Sequence, residues 1–138
     1  MAVALTVDEA NAFFEDAFPG SGARPWVVEL DEGRALVRLA AGPQHLRPGG
    51  YVSGPTQMSM VDTAVYVAIF TRIGITPMAV TTSLNMTFLR PLIAKRIDCE
   101  ARLLKLGRTL AVADVAVRAT GSDKLASQAV VTYALPRA

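Results

Sequence analysis

The sequence has few of the residues from which many functional sites are built. Its 138 residues include one cysteine, Cys99, and one histidine, His45. One thiol cannot form an internal disulfide, and one residue of each kind cannot assemble a thiolate cage or a multi-histidine metal site. The first residues also lack the basic stretch that precedes the apolar part of a secretory signal. We therefore expect a reduced, cytoplasmic protein that uses no metal or other cofactor.

Charge is scarce as well, because charged residues make up 19% of the chain and hydrophobic residues 51%. Within 48–89 the only groups charged at neutral pH are Asp62 and Arg72. The segment 48–71 has the length of a membrane span, but it carries two prolines, three glycines and a carboxylate. Its apolar part, 58–70, is too short to cross a bilayer, so we expect no membrane association.

The net charge of +2 is too small to indicate nucleic-acid binding, and no basic stripe is interleaved with aromatic residues. The charge is unevenly spread. Residues 1–32 hold seven acids and one base, whereas 90–138 hold nine bases and four acids. The basic C-terminal part fits an anionic ligand or, alternatively, solvated strand edges guarded by lysine and arginine.

Capping and turn residues divide the chain into helices and strands. Thr6 and Glu9 form a capping-box pattern that begins a helix reaching about Phe18, and the segment 19–22 ends it. Strand patterns separated by turn residues follow at 26–30, 34–40, 80–88, 97–105, 109–119 and 125–135.

A longer helix is predicted over 55–72, with Ser53 or Gly54 as its cap and Gly74 as its stop. It is apolar on nearly every side and must be buried. A narrow polar stripe interrupts it, formed by Thr56, Ser59, Thr63 and Tyr66.

The order of these elements predicts a single α+β domain over 1–138, in which one antiparallel sheet wraps around one long central helix. Because one sheet cannot cover every side of such a helix, we expect some of Met58, Met60 and their neighbours to contact a second subunit. A symmetric dimer is the commonest way to provide one.

Asp62 is the candidate for chemistry, since a carboxylate in apolar surroundings is costly and such groups concentrate at functional sites. The structural alternative is that it caps a turn or pairs with Arg47 or Arg72, although Arg72, ten residues on, is out of reach for a pair within the same helix. Gly54, at the helix start, offers a free N–H that suits an oxyanion. Eight helical residues span about 12 Å, so the two residues would meet around one carbonyl only across a subunit boundary.

Other catalytic designs have less support. His45 as the base of a serine triad lacks a G-x-S-x-G segment, and Cys99 alternates with core residues in a predicted strand. No phosphate-binding loop, dinucleotide fingerprint or metal-ligand spacing is present.

Three segments together carry a resemblance: SGPTQMSMVDTA at 53–64, TTSLNMTFLRP at 81–91 and LGRT at 106–109. They resemble, in order and spacing, the acyl-CoA thioesterases of the hot-dog superfamily, PaaI type. The match covers 45–135. The resemblance implies a hot-dog domain, assembled as a homodimer and often as a dimer of dimers, that hydrolyses acyl-CoA without a metal.

Carried over by position, the resemblance makes Asp62 the catalytic carboxylate, as general base or nucleophile. Gly54 matches the residue whose N–H polarises the thioester carbonyl across the dimer, and Thr81 matches a hydroxyl that helps hold the attacking water. The side chains and the turn expected to contact the substrate are Arg47, Ser53, Tyr66, Arg90, Gly107 and Arg108.

Three departures from the family pattern keep alternatives open. Ser53 replaces a histidine, Pro55 replaces a glycine, and Arg47 replaces an amide and is expected near Asp62. A non-hydrolytic protein that binds acyl-CoA or an aromatic ligand therefore remains the alternative. A hydratase is less favoured, because that chemistry usually places a histidine beside the aspartate, and the chain has only His45.

Overall fold

Two helices and six strands make up the described part of the chain, which is residues 3–18 and 24–136 of a computed structural model. The helices are α1 (Val7–Ala17) and α2 (Gly54–Ile73). The strands are β1 (Trp26–Asp31), β2 (Arg34–Ala40), β3 (Val80–Phe88), β4 (Arg96–Leu106), β5 (Leu110–Ala119) and β6 (Ser127–Ala134). All eight predicted elements are found close to their expected bounds. The predicted stop of the first helix at 19–22 lies outside the described residues.

The strands form one antiparallel sheet in the order β1-β2-β4-β5-β6-β3. The meander β4-β5-β6 lies inside the sheet, and β1 and β3 are its edges. Along β4, β5 and β6 buried side chains alternate with more exposed ones, so one face of the sheet packs on α2. The prediction of a sheet wrapped around a central helix is confirmed.

The ends of α2 follow the predicted capping residues. The Ser53 hydroxyl accepts a hydrogen bond from the Thr56 N–H at 3.3 Å, and Pro55 stands in the first turn, where a missing N–H costs nothing. Gly74 ends the helix with φ at 82°, a conformation that residues with a Cβ rarely adopt. In the described ranges no helix is long and apolar enough to span a bilayer.

Within one chain, more of the surface of α2 is buried than we expected a single sheet to bury. Met60 is 1% exposed within the single chain, so it is not available to a second subunit, although it was one of the residues among which such a contact was expected. The first helix adds cover toward the C-terminal end of α2, since the Phe13 ring packs edge-on against Phe70 of α2 at 5.5 Å between centroids. Met58, in contrast, remains 41% exposed.

Strand β3 departs from the strict alternation predicted over 80–88. Its register with β6 shifts between Thr81 and Ser83, which is the signature of a β-bulge. Thr81 consequently faces α2, while the hydroxyl of Thr82 donates to the backbone carbonyl of Thr132 on the neighbouring strand. The bulge thus turns one particular hydroxyl toward the central helix.

Thr71, near the end of α2, ties the helix to the β1–β2 hairpin. Its buried hydroxyl accepts from the N–H of Gly33 at 2.8 Å and donates to the carbonyl of Ala68 at 2.6 Å. Gly33 lies in the hairpin turn with φ at 74°. One hydroxyl therefore satisfies a buried amide that lies 38 residues away in the sequence.

Replacing Thr71 by valine keeps the shape of the side chain but leaves the Gly33 N–H without an acceptor. We expect Thr71→Val to lower the free energy of unfolding by about 1–3 kcal/mol, the cost of a buried unsatisfied donor. Urea unfolding measures the loss. Thr109→Val, at an exposed position between β4 and β5, is the control and should change it by less than about 0.5 kcal/mol. Equal effects of the two substitutions would contradict the assignment.

Candidate active site

Asp62 lies on the side of α2 that faces β3 and β6, and it is half-buried. Its Oδ1 atom accepts two hydrogen bonds, from the Thr81 hydroxyl at 2.5 Å and from the Tyr133 hydroxyl at 2.7 Å. No arginine is paired with it in the described part of the chain. Arg72 instead contacts Glu32 at 3.5 Å, so the alternative in which Asp62 pairs with an arginine is wrong for Arg72.

Tyr133 was not predicted as a site residue. It is 3% exposed, and its register partner in β3 is Thr81. Burial raises the pKa of the Tyr133 hydroxyl far above its usual value, and the charge of Asp62 adds to that effect while the hydroxyl of Thr81 opposes it. The group is therefore a neutral donor at physiological pH. The only signal in the sequence is that Tyr133 is the one aromatic residue of the last strand and alternates with the inward-facing Ser127, Ala129 and Val131.

A cleft of about 560 Å³ opens over the carboxylate. Its walls are apolar and aromatic, with polar atoms concentrated around Asp62. The residues that line it are Phe14, Phe18, Arg24, Pro25, Ser59, Asp62, Thr63, Tyr66, Ala79, Val80, Thr81 and Tyr133. Three of the predicted site residues, Asp62, Thr81 and Tyr66, are thus brought together.

The aromatic wall is held by neighbouring elements. The Tyr66 hydroxyl donates to the carbonyl of Pro77 at 2.7 Å, and burial together with the charge of Asp62 raises the pKa of Tyr66. Helix α1 is fixed to β1 because the Asn11 amide bonds both the N–H and the carbonyl of Val27, at 2.8 and 3.1 Å.

A second groove, of about 470 Å³, lies at the start of α2. It is lined by Arg47, Tyr51, Val52, Gly54, Gln57, Phe88, Leu89, Arg90, Pro91 and Leu92. Arg47 stands over the Tyr51 ring at 5.6 Å, in this groove and not beside Asp62, so its expected place near that carboxylate is wrong within one chain. Arg90 shares the groove, and neither guanidinium has an acidic partner among residues 3–18 and 24–136.

In the first turn of α2, the N–H of Gly54 has no hydrogen-bond acceptor among the residues that the structure describes. Pro55 has no N–H, and the N–H of Thr56 is taken by Ser53, which serves as a cap. Buried Gln57 anchors this turn, since its amide donates to the Val52 carbonyl at 3.1 Å and accepts from the Ser127 hydroxyl at 2.7 Å. A Cβ at position 54 would lie 3.4 Å from the Phe88 ring, which is an ordinary van der Waals distance.

Other candidates lie outside both cavities. Gly107 and Arg108 form the β4–β5 turn and line neither cavity in one chain. His45 accepts the N–H of Gly42 on Nδ1 at 2.9 Å, a loop-forming role. Cys99 is fully buried, and burial raises the pKa of its thiol, which makes it a core residue. No three His, Cys, Asp or Glu side chains converge as a metal site would need within 3–18 and 24–136.

Comparison with known proteins assigns the family. Residues 49–126 match the model of the thioesterase superfamily, and this span is more than half of the chain. The protein belongs to the thioesterase superfamily. The matched span contains Gly54, Asp62, Thr81 and Arg90. Each cavity of this thioesterase-superfamily chain is therefore lined in part by residues that match the family model.

Solved structures agree with this assignment. A protein of Silicibacter sp. TM1040, described provisionally as a thioesterase, is 34% identical with a TM-score of 0.87, covering 99% of this chain and 95% of its own. Zebrafish thioesterase superfamily member 2 is 26% identical with a TM-score of 0.84, over 96% and 99%. A mutant of the phenylacetic acid degradation protein PaaI from Thermus thermophilus is 28% identical with a TM-score of 0.72, over 89% and 98%.

A protein of Saccharolobus solfataricus described provisionally as an esterase is 27% identical over 111 residues, which is 80% of this chain and 78% of that protein. Together these similarities confirm the predicted PaaI-like resemblance and the hot-dog fold of this thioesterase-superfamily member.

Proposed function

We propose that this protein hydrolyses the thioester of an acyl-CoA at a site shared by two protomers, with Asp62 of one and the Gly54 N–H of the other acting on the same carbonyl. The observation that carries the proposal is the position of β3. Its first residues, Val80 and Thr81, line the Asp62 cleft, whereas its last residue, Phe88, lines the Gly54 groove.

Strand β3 has the features of a strand that pairs with a second copy. It is an edge strand, bonded to β6 on one side only. Val80 at one end is 54% exposed and Phe88 at the other 48%, and exposed apolar edges favour association. Antiparallel pairing about a two-fold axis sets the beginning of one β3 against the end of the other. The Asp62 cleft of each protomer then adjoins the Gly54 groove of its partner.

The chemistry requires a carboxylate and an N–H donor on opposite sides of one thioester. Asp62 takes a proton from water, the water oxygen bonds to the carbonyl carbon, and the N–H of Gly54 stabilises the resulting oxyanion. The C–S bond then breaks, and the CoA sulfur takes up the proton as the acid leaves. If Asp62 attacks the carbon directly, the C–S bond breaks to release the CoA thiolate and a mixed anhydride forms. Water then hydrolyses the anhydride to the free acid, the Asp62 carboxylate is regenerated and the thiolate takes up the remaining proton. Thr81 would help orient the water in the first route.

The substrate groups have matching surroundings. The apolar cleft around Tyr66 suits the acyl group, and the unpaired guanidinium groups of Arg47 and Arg90 suit the phosphates of CoA. Ser53 caps the helix beside the reacting carbonyl. The Gly107–Arg108 turn, outside both cavities, would reach CoA from a neighbouring subunit in a dimer of dimers.

Asp62→Asn removes the proton acceptor and nucleophile while preserving the shape of the side chain. We expect purified protein to release free CoA from at least one acyl-CoA in a panel of aryl and alkyl substrates, and the variant to lose at least about 100-fold in kcat. Asp114→Asn, on the outer face of β5, is the control and should keep wild-type activity. An Asp62→Asn enzyme with unimpaired activity would contradict the proposed role of the carboxylate. Tight acyl-CoA binding without any turnover in the wild type would favour the non-hydrolytic alternative.

Arg90→Gln tests recognition of CoA itself. Loss of a charge-assisted contact to phosphate should raise KM for the acyl-CoA by about tenfold with little change in kcat. The same variant should be unimpaired on the matching acyl-N-acetylcysteamine thioester, which has no phosphates. Arg96→Gln, an exposed arginine that lines neither cavity, is the matched control. A similar KM increase on both substrates would argue against phosphate recognition by Arg90.

A further inference from the structure

The two oxygens of Asp62 have different surroundings. Thr81 donates to Oδ1 at 2.5 Å and Tyr133 at 2.7 Å, and the Tyr133 oxygen also lies 3.1 Å from the backbone carbonyl oxygen of Asp62; within residues 3–18 and 24–136 no donor reaches Oδ2. A carboxylate held at one oxygen by two donors has lost the freedom to rotate about its χ2 torsion. We propose that Tyr133 is a positioning residue which, together with Thr81, fixes Oδ1 and so presents Oδ2 to the substrate as the oxygen that acts on water or on the carbonyl carbon. This inference rests on the proposed thioester hydrolysis.

Tyr133 is itself held in place from several sides. Its ring is 3% exposed and stacks on the Tyr66 ring at 6.0 Å and 27°. Tyr66 is fixed in turn by its bond to the Pro77 carbonyl and by Phe70, whose centroid lies 4.4 Å away. The hydroxyl thus reaches Asp62 from a ring that cannot move aside, which is the property that positioning requires.

The backbone of β3 supplies the second donor. Thr81 and Tyr133 are register partners, and the bulge after Thr81 lets that residue face α2 together with the inward residues of the following stretch. Without the extra residue the alternation would turn Thr81 away from Asp62. Two adjacent strands therefore deliver two hydroxyl groups to the same atom.

The charges around the carboxylate are few. Tyr66 from α2 and Tyr133 from β6 are the titratable groups of the cleft, and Arg24 is its cation; α1 contributes Phe14 and Phe18, and β3 contributes uncharged residues. Hydrogen bonds therefore determine much of the orientation of the Asp62 carboxylate. Burial raises the pKa of the Tyr133 hydroxyl, so this group is a neutral donor at physiological pH.

The arrangement of two donors on one oxygen leads to a specific kinetic prediction. We expect Tyr133→Phe and Thr81→Val each to lower kcat about tenfold with KM changed less than about twofold, because substrate contacts persist while the carboxylate gains freedom. When both donors are absent nothing restrains the carboxylate, so the double variant should lose clearly more than the product of the two single effects. Steady-state release of CoA by the full-length protein measures all three.

Matched controls separate positioning from folding. Thr81→Ser keeps the donor and should retain most of the activity, and Thr132→Val removes a hydroxyl from the outer face of β6 and should behave as wild type. Purely additive losses, or a Tyr133→Phe enzyme with unchanged kcat, would overturn the proposal. So would a Tyr133→Phe protein that loses its assembly or melts far below the wild type, since the hydroxyl would then serve folding. An inactive wild type would instead overturn the proposed function on which this inference rests.

Discussion

Burial of α2 is the constraint on which the structure depends. The helix is apolar on almost every side, and the sheet and α1 pack against it, so a polar side chain buried on it requires a hydrogen-bond partner. Thr71 is hydrogen-bonded to the β1–β2 hairpin, and Gln57 to the loop before the helix and to β6. Asp62 is hydrogen-bonded to β3 and β6. These three contacts fix the helix along its length as well as against the sheet.

The same constraint separates the two functional features. The carboxylate lies two turns inside the helix and opens onto one cavity, while the free amide at the helix start opens onto another. Within one chain they serve no common carbonyl. The strand that follows α2 touches both cavities, one at each end, and it is an edge strand with exposed apolar residues. A dimer formed through this edge would both cover the strand and join the two half-sites.

Much of this arrangement could be predicted from the sequence, because it depends on local chemistry. Ser53, Pro55 and Gly74 set the ends of α2 by capping and by backbone conformation. Asp62 was conspicuous as a carboxylate without charged neighbours in the sequence. The family resemblance added Gly54 and Thr81, and the structure brings Thr81 to the carboxylate.

What the sequence could not provide depends on non-local geometry. Met60 was among the residues expected at a subunit boundary, because the sequence does not reveal which sides of α2 the rest of the chain covers. Arg47 was expected near Asp62, but its loop leads to the groove at the start of α2. Tyr133 was not predicted as a site residue, because its role depends on the register between β6 and β3, which the sequence does not show. The bulge at Thr81 likewise could not be predicted, because no glycine or proline marks it in the sequence.

The central claim, that each site joins Asp62 of one protomer to Gly54 of another, is tested most directly by mixing two inactive proteins. Asp62→Asn lacks the carboxylate, and Gly54→Leu places a side chain over the open amide. Unfolding and refolding an equal mixture gives hybrid dimers in which one of the two sites is intact. A shared site predicts recovery of about a quarter of wild-type activity, from the statistics of random pairing in a symmetric dimer. A mixture that forms hybrid dimers and recovers no activity would contradict the account.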